Sequence, residues 1–346
     1  MKLSKQDEEL IHHIKKMTET LNANNITRTN AYLYFYQQHP EIHWSFLAHM
    51  VSRNTGWNMT DLKGTFLPRL LSKTEIESFF SFLERGNWVI FQDAYPQLLL
   101  YEESKKAKRN LSHLLPHLNV SIFMEVIWNH FWNHKDSFIL TCALIVNEQN
   151  LLEKIVVADP HYQKNVFNQL EFALQDLLAM NQILFPYHEK KAIKLIGKTV
   201  HHFENLHSRI TFGKELYHLL FADLPRLRKI ERWANSTLHN ASRQNYWRHI
   251  FHHVNEELPG QKYTARLKSC RLVPNAPRLY SPALEFVWKD RAHSSPVPIE
   301  WYRDSSVLSY LVNHKSESSG NIEKDYCRTL EKLEFASLAK KAISIF

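Results

Sequence analysis

Glycine is scarce in this chain, 7 of 346 residues, against roughly 7 % in ordinary proteins. Few glycines mean few tight β-turns, and no glycine-rich loop is present to cradle a phosphate, so P-loop and Rossmann-type nucleotide folds are disfavoured. Long apolar runs are also missing. The longest, Phe138 to Val146 broken only by Thr141, falls far short of the roughly 20 residues that span a bilayer, and membrane insertion is not expected. The opening MKLSKQDEEL is charged where a signal peptide would turn apolar, which points to a cytoplasmic protein. Cysteine is limited to Cys142, Cys270 and Cys327; an odd number of widely separated residues fits reduced thiols, with Cys142 in the core. HExxH, an HD dipeptide, paired cysteines and a GxSxG elbow are absent, so no cofactor is indicated by motif and nucleophilic catalysis has no support.

What is present is helical and aromatic. Hydrophobic residues make up 44% of the chain and aromatics 12%, ample for a large core. The formal charge is +8, but the positive residues are scattered. Clusters at Lys105–Arg109, Arg226–Arg232 and Lys262–Arg271 read first as solvated faces and second as a weak nucleic-acid surface.

The chain is organised around Pro40 to Asn54, PEIHWSFLAHMVSRN. Pro40 suits the first position of a helix, and Gly56 suits the left-handed cap that ends one. At 100° per residue, Ile42, Trp44, Phe46, Leu47, Met50 and Val51 cover far more than the roughly 100° stripe of a surface helix. This helix is expected to be buried. His43, Arg53 and Asn54 lie inside its apolar arc and His49 at its edge. A buried guanidinium needs a partner, and Asp61 and Glu148 are the carboxylates considered for it.

Ser4 with Asp7, and Ser72 with Glu75, resemble capping boxes, and the second of these helices is expected to stop at Gly86. Asn87 to Arg109 should follow as helix with a break at Pro96. Thr60 is a candidate cap and Asp136 another. Residues 137 to 157 place Glu148 on a face with Leu144, Leu151, Leu152 and Ile155 if they form one helix; if the helix ends there, residues 147 to 150 are a polar turn. Helical periodicity recurs at 160–181, 189–206, 208–221, 223–233 and 242–254, and the proline-containing stretch from Glu257 to Pro282 reads as irregular. Residues 314–321 are the candidate linker before a C-terminal helix over 322–346, leaving 1–313 as a single helical domain.

Two constellations carry chemistry. His43, His49, Arg53, Asn54, Trp57, Asn58, Asp61 and Glu148 form a polar set in and beside the central helix. A guanidinium beside imidazoles and an indole suits an anionic or ring-shaped small molecule, and an ion pair fastening helices is the structural alternative. On a helix, His249, His253 and Glu257 would share one face and offer three ligands to a divalent metal, as would His130 and His134 with fewer; an exposed basic-aromatic face is the plainer explanation.

The runs RTNAYLYFYQQHPEIHWSFLAHMVSRNTGWNMTDLKG, DAYPQLLLYEES, ALIVNEQN and LPRLRKIERWANSTLHNASRQNYWRHIF resemble the bacterial YppC-like family, a domain of unknown function. The resemblance extends from about Arg28 to about Asp290 and implies no established activity, partner, cofactor or site residue. The expectation is an all-α, irregular multi-helix domain of about a dozen helices around a buried central helix, with a partly detachable C-terminal helix. The functional expectation is a soluble cytosolic binding or interaction protein whose central pocket is lined by His49, Arg53, Asn54 and Trp57, with a metal-dependent hydrolase and a weak nucleic-acid binder as alternatives.

Overall fold

The computed structural model describes residues 3–167, 182–200, 203–258, 260, 263–312 and 320–343. Side chains at the helix starts fix where the elements begin. Helix α1 (Lys5–Leu21) opens with Ser4 Oγ accepting the Asp7 amide at 3.2 Å, while the Asp7 carboxylate accepts the Ser4 amide at 3.3 Å. Asn24 and Thr27 repeat the box at α2 (Asn25–Gln38). The long α4 (Lys73–Ala107) starts on Ser72 and Glu75 at 3.2 and 2.7 Å. Each reciprocal pair satisfies donors that a helix start otherwise leaves orphaned. Asp136 caps α6 (Ser137–Leu152), which follows α5 (Ile122–His134), by accepting the Ile139 amide at 2.9 Å.

The central helix α3 spans His43–Asp61, starting later than Pro40 and passing through Gly56 instead of ending there. Gly56 serves close packing: a Cβ at this position would collide with Asn25 Oδ1 and the His239 ring. Thr60 is not a cap but lies within the helix, its hydroxyl donating to the Ala241 carbonyl at 2.6 Å. Trp44, Phe46, Met50, Trp57 and Met59 are each at most 1% exposed, so the rod is enclosed on most sides by α2, α4, α6, the strand Gln182–Glu189 and the helix α7 (Leu206–Phe221). Helix α4 likewise runs unbroken through Gly86 and Pro96. Between α2 and α4, Arg28 and Glu84 form a buried ion pair at 2.5 Å, with the other guanidinium nitrogen donating to Asn22.

Residues 182–199 correct the all-α expectation. They form an antiparallel hairpin, β1 (Gln182–Glu189) and β2 (Ala192–Thr199), turning through Lys190 at φ 54°. Gly197 faces the Ile183 carbonyl, where any Cβ would clash. Helical periodicity at 189–206 was a coincidence of Ile193, Ile196 and Val200 spacing; strand pairing across the two-residue turn prevails. Short pairs β3 (Phe251–His252) with β6 (Leu279–Tyr280), and β4 (Leu267–Lys268) with β5 (Arg271–Leu272), complete a mostly helical fold that is not purely α. The stretch 242–254 is a 3₁₀ turn followed by β3, not a helix.

Helix α8 (Leu224–Ser236) forms as expected. Of the expected helix at 160–181, the first eight residues form a short turn and a π-turn, and the rest lies outside the described residues. The linker at 314–321 is also mostly outside them; at its end the Gly197 amide donates to the Gly320 carbonyl at 2.8 Å and Asn321 bridges Ile196. The final helix α9 (Glu323–Ile343) packs on the body through Tyr326, Leu330 and Leu333. Contrary to the expectation of three reduced thiols, Cys270 and Cys327 are joined by a disulfide with Cα atoms 5.2 Å apart, and Cys142 alone is free and buried.

Candidate functional site: two sides of the central helix

Arg53 is 1% exposed; among the described residues no carboxylate pairs with it and its Nη1 has no hydrogen-bond partner. Its Nε donates to His49 Nε2 at 2.9 Å, and one terminal nitrogen donates to the carbonyls of Ala234 and Thr237 at 3.1 and 2.5 Å, where α8 ends. The last carbonyls of a helix lack intrahelical donors and carry partial negative charge, so a guanidinium there satisfies both. The guanidinium also lies 4.8 Å from the Trp233 ring centroid. Burial lowers the Arg53 pKa to about 9. His49 Nδ1 sits 2.8 Å from the Thr29 carbonyl. Because Arg53 must donate to Nε2, the ring is the neutral Nδ1–H tautomer; burial and the Arg53 charge hold its pKa well below the ordinary value.

The neighbours expected to join Arg53 are occupied elsewhere. Asp61 pairs with Arg243 at 2.7 Å, and Asn58 Oδ1 accepts from the same guanidinium at 3.1 Å. Asn54 clamps β1, accepting the Leu184 amide at 2.8 Å and donating to its carbonyl at 2.9 Å. Trp57 is fully buried against Tyr246 and Trp233. His43 pairs with the Tyr217 hydroxyl at 3.0 Å and stacks on Phe221, with burial lowering its pKa to about 4. His43, Asn54, Asn58 and Asp61 each hold one element against another, whereas Trp57 Nε1 has no hydrogen-bond partner among the described residues.

The opposite side of α3 is different. A cleft of about 210 Å³ lies between α3, α4, α6 and α7, walled by apolar side chains such as Trp44, Val51, Phe82, Ile90, Ile145 and Phe212. Glu148 and Asn58 are the two sequence candidates that reach it. Glu148 belongs to the continuous helix α6, which settles the alternative of a polar turn. Its carboxyl receives hydrogen bonds from the Gln149 side chain, at 3.3 Å, and from Trp44. Burial dominates and pushes its pKa up to about 8, with nearby Asp93 adding to the rise. No guanidinium or ammonium group bonds Glu148 among the described residues. Arg209, also in the wall, donates instead to Gln149, Glu153 and the Phe203 carbonyl.

Asp93 was not singled out from the sequence. It is half-buried beside Asn147 and Gln97, accepting from them at 2.5 and 2.8 Å, and desolvation raises its pKa to about 7. Its place in the apolar run FQDAYPQLLL was the available signal. The Arg28–Glu84 pair carried none, because its partners are 56 residues apart.

The proposed metal face does not assemble. Without a helix at 249–257 the three residues diverge: Glu257 is held by Arg69 and Arg266, each at 2.8 Å, and His253 Nδ1 lies 2.5 Å from Gln244 Oε1. His130 and His134 stack one turn apart on α5 at 4.5 Å. No group of three or more metal-ligating side chains occurs among the described residues. No helix among them is long and apolar enough to cross a membrane. In the Arg226–Arg232 cluster, Lys229 is tied to Glu189 at 2.7 Å and Arg226 to the Leu219 carbonyl at 3.1 Å.

These features define a mostly helical protein with a sealed polar centre and an adjoining apolar cleft. The chain belongs to the family described as Protein of unknown function (DUF2515), which it matches over residues 20–331. It is 45% identical over 212 residues to the Uncharacterized protein YppC of Bacillus subtilis (strain 168), an alignment covering 61% of this chain and 65% of that relative's length. No solved structure matches it.

Proposed function

We propose that this protein binds a small, ring-bearing, largely apolar molecule in the cleft beside α3, and that the ligand presents a basic nitrogen to Glu148. One observation carries the reading: a single carboxyl, bonded by no cation among the described residues, stands in the wall of a largely apolar space of about 210 Å³ whose other charged residue, Arg209, is engaged elsewhere. Ligand sites combine apolar walls with a few placed polar groups, and a carboxyl whose ionised form is disfavoured by burial gains most from an incoming cation. An ammonium group would draw the proton off Glu148 and form the ion pair that no described residue supplies. The volume suits a molecule of about one ring and a short chain.

The anionic ligand expected from the sequence loses its support, since Arg53 is enclosed and Arg209 is engaged. A metal-dependent hydrolase and a nucleic-acid binder draw on residues that are dispersed or already paired, and neither has an observation in its favour. Phenethylamine, its alcohol analogue and phenylacetate, compared by calorimetry at pH 7, test the reading. The amine should bind saturably and more tightly than the other two, and Ala48→Phe, which fills the cleft wall, should abolish binding while the fold persists. If the three probes behave alike, or the filled variant binds as well as the parent, the reading fails.

A further inference from the structure

The Cys270–Cys327 disulfide sits where a second molecule can reach it. Cys270 occupies the two-residue turn between β4 and β5, where Ser269 and Cys270 both have positive φ, 51° and 61°. This is the mirror-type turn that matches strand twist but favours glycine or asparagine at both positions. Cys327 lies in the first turns of α9. Both cysteines are partly exposed and line a surface groove of about 670 Å³. Lys194, Arg271, Lys324 and Arg328 also line it, four cations against the carboxylates of Glu323 and Glu331. Attack on a disulfide requires a thiolate, and a cationic groove both attracts that anion and stabilises the thiolate released.

Other contacts hold α9 in place independently of the sulfur bridge. Glu334 accepts from the Tyr263 hydroxyl at 2.8 Å and from the Arg266 and Leu267 amides at 2.8 and 2.9 Å. Tyr326 shares in the Arg243 network, Leu330 and Leu333 are buried, and Lys340 donates to the Leu70 carbonyl at 2.7 Å. Beyond the β4–β5 pairing, one side-chain hydrogen bond among the described residues ties the two turn residues, from the Cys270 amide to Glu331 at 3.2 Å. Opening the disulfide therefore frees the turn without dislodging the helix. The third cysteine is kept out of any exchange: Cys142 is buried, and burial pushes its thiol up to about 12.

We propose that Cys270–Cys327 is a reversible thiol–disulfide exchange site, opened by a dithiol that docks in this cationic groove. A thiolate of the dithiol attacks one sulfur, the Cys270–Cys327 bond breaks, and the released thiolate takes up a proton. The second thiol of the reductant then attacks the mixed disulfide. The protein leaves with two thiols and the reductant with one disulfide, two electrons and two protons having been transferred.

Alkylation of the undenatured full chain, read by mass spectrometry, tests this. Untreated protein should take up no label at Cys270 or Cys327. After a small dithiol such as dithiothreitol, both should be labelled and Cys142 should not. Hydrogen exchange should then rise at least tenfold in the 267–272 turn and stay unchanged in 43–61 and in the second half of α9, and re-oxidation should restore protection. Cys270→Ser should reproduce the reduced pattern without any reductant. The proposal is overturned if the disulfide resists the dithiol until the protein is denatured, if all three thiols are free whatever the oxidant, or if reduction releases the whole of α9.

Discussion

The two sides of α3 each adjoin polar groups picked out from the sequence, and the two sets differ in what they do. On one face most of the expected site residues hold elements together: Arg53 closes the end of α8, Asn54 clamps β1, and Asp61 neutralises Arg243, while Arg53 Nη1 and Trp57 Nε1 are buried with no hydrogen-bond partner among the described residues. On the other, a single acid stands in a largely apolar wall and no cation bonds it among the described residues. Buried polarity by itself therefore marks architecture. The residue to examine is the one whose electrostatic need the protein leaves unmet, because satisfied groups stabilise a fold and an unmet one favours a ligand.

The largest effect should come from the sealed face. Arg53→Met removes donors from two carbonyls and from His49 Nε2, and each orphaned acceptor costs about 1–3 kcal/mol; melting should fall markedly while amine binding in the cleft persists. Loss of binding in a variant of unchanged stability would reverse the assignment of the two faces. Next come two glycines. Gly56→Ala places a methyl group against Asn25 and His239, and overpacking of this kind costs about 1–3 kcal/mol. Gly86→Ala, on the cleft side, meets only Leu152 at 3.5 Å and should stabilise α4 by about 0.5–1 kcal/mol. Equal responses in the two denaturation curves would erase the distinction.

The faces should also separate by pH. His49 and His239 have depressed folded-state values, so the stability they contribute is present above the unfolded value of 6.5 and lost as pH falls below it. Glu148 has a raised value, so its contribution is present below 4.5 and lost as pH rises towards about 8. Glu148→Gln should flatten part of that alkaline limb, the remainder belonging to Asp93, which titrates at about 7, and to Asp61, whose value burial also raises, and should leave the acid limb untouched. Stability curves from pH 4 to 9 would show it; an unchanged alkaline limb would remove Glu148 from the account.

Local signals in the sequence located local structure well. Ser4–Asp7, Ser72–Glu75 and Asp136 mark helix starts because capping is decided within four residues. The enclosure of 43–54 was legible because its apolar residues wrap the helix. What failed depends on distant partners. Gly56, Gly86 and Pro96 suggest helix ends in isolation, yet tertiary packing carries the helices through them. The 182–199 hairpin was hidden by a spacing of apolar residues compatible with either period. Arg53's partners are main-chain carbonyls at 234 and 237, which have no signature in a sequence, and the Cys270–Cys327 pairing joins residues 57 apart. Glu148 was visible as an acid on an apolar face, but that no cation bonds it among the described residues emerged only from the fold.

The most direct test of the central claim is a carbon-detected NMR titration of the Glu148 carboxyl, assigned by comparison with Glu148→Gln, with and without phenethylamine. An apparent pKa near 8 in the free protein, falling by at least one unit when the amine is added, is the predicted result. An ordinary carboxylate titration that the amine does not move would contradict the claim that this acid is the unmet charge on which binding turns.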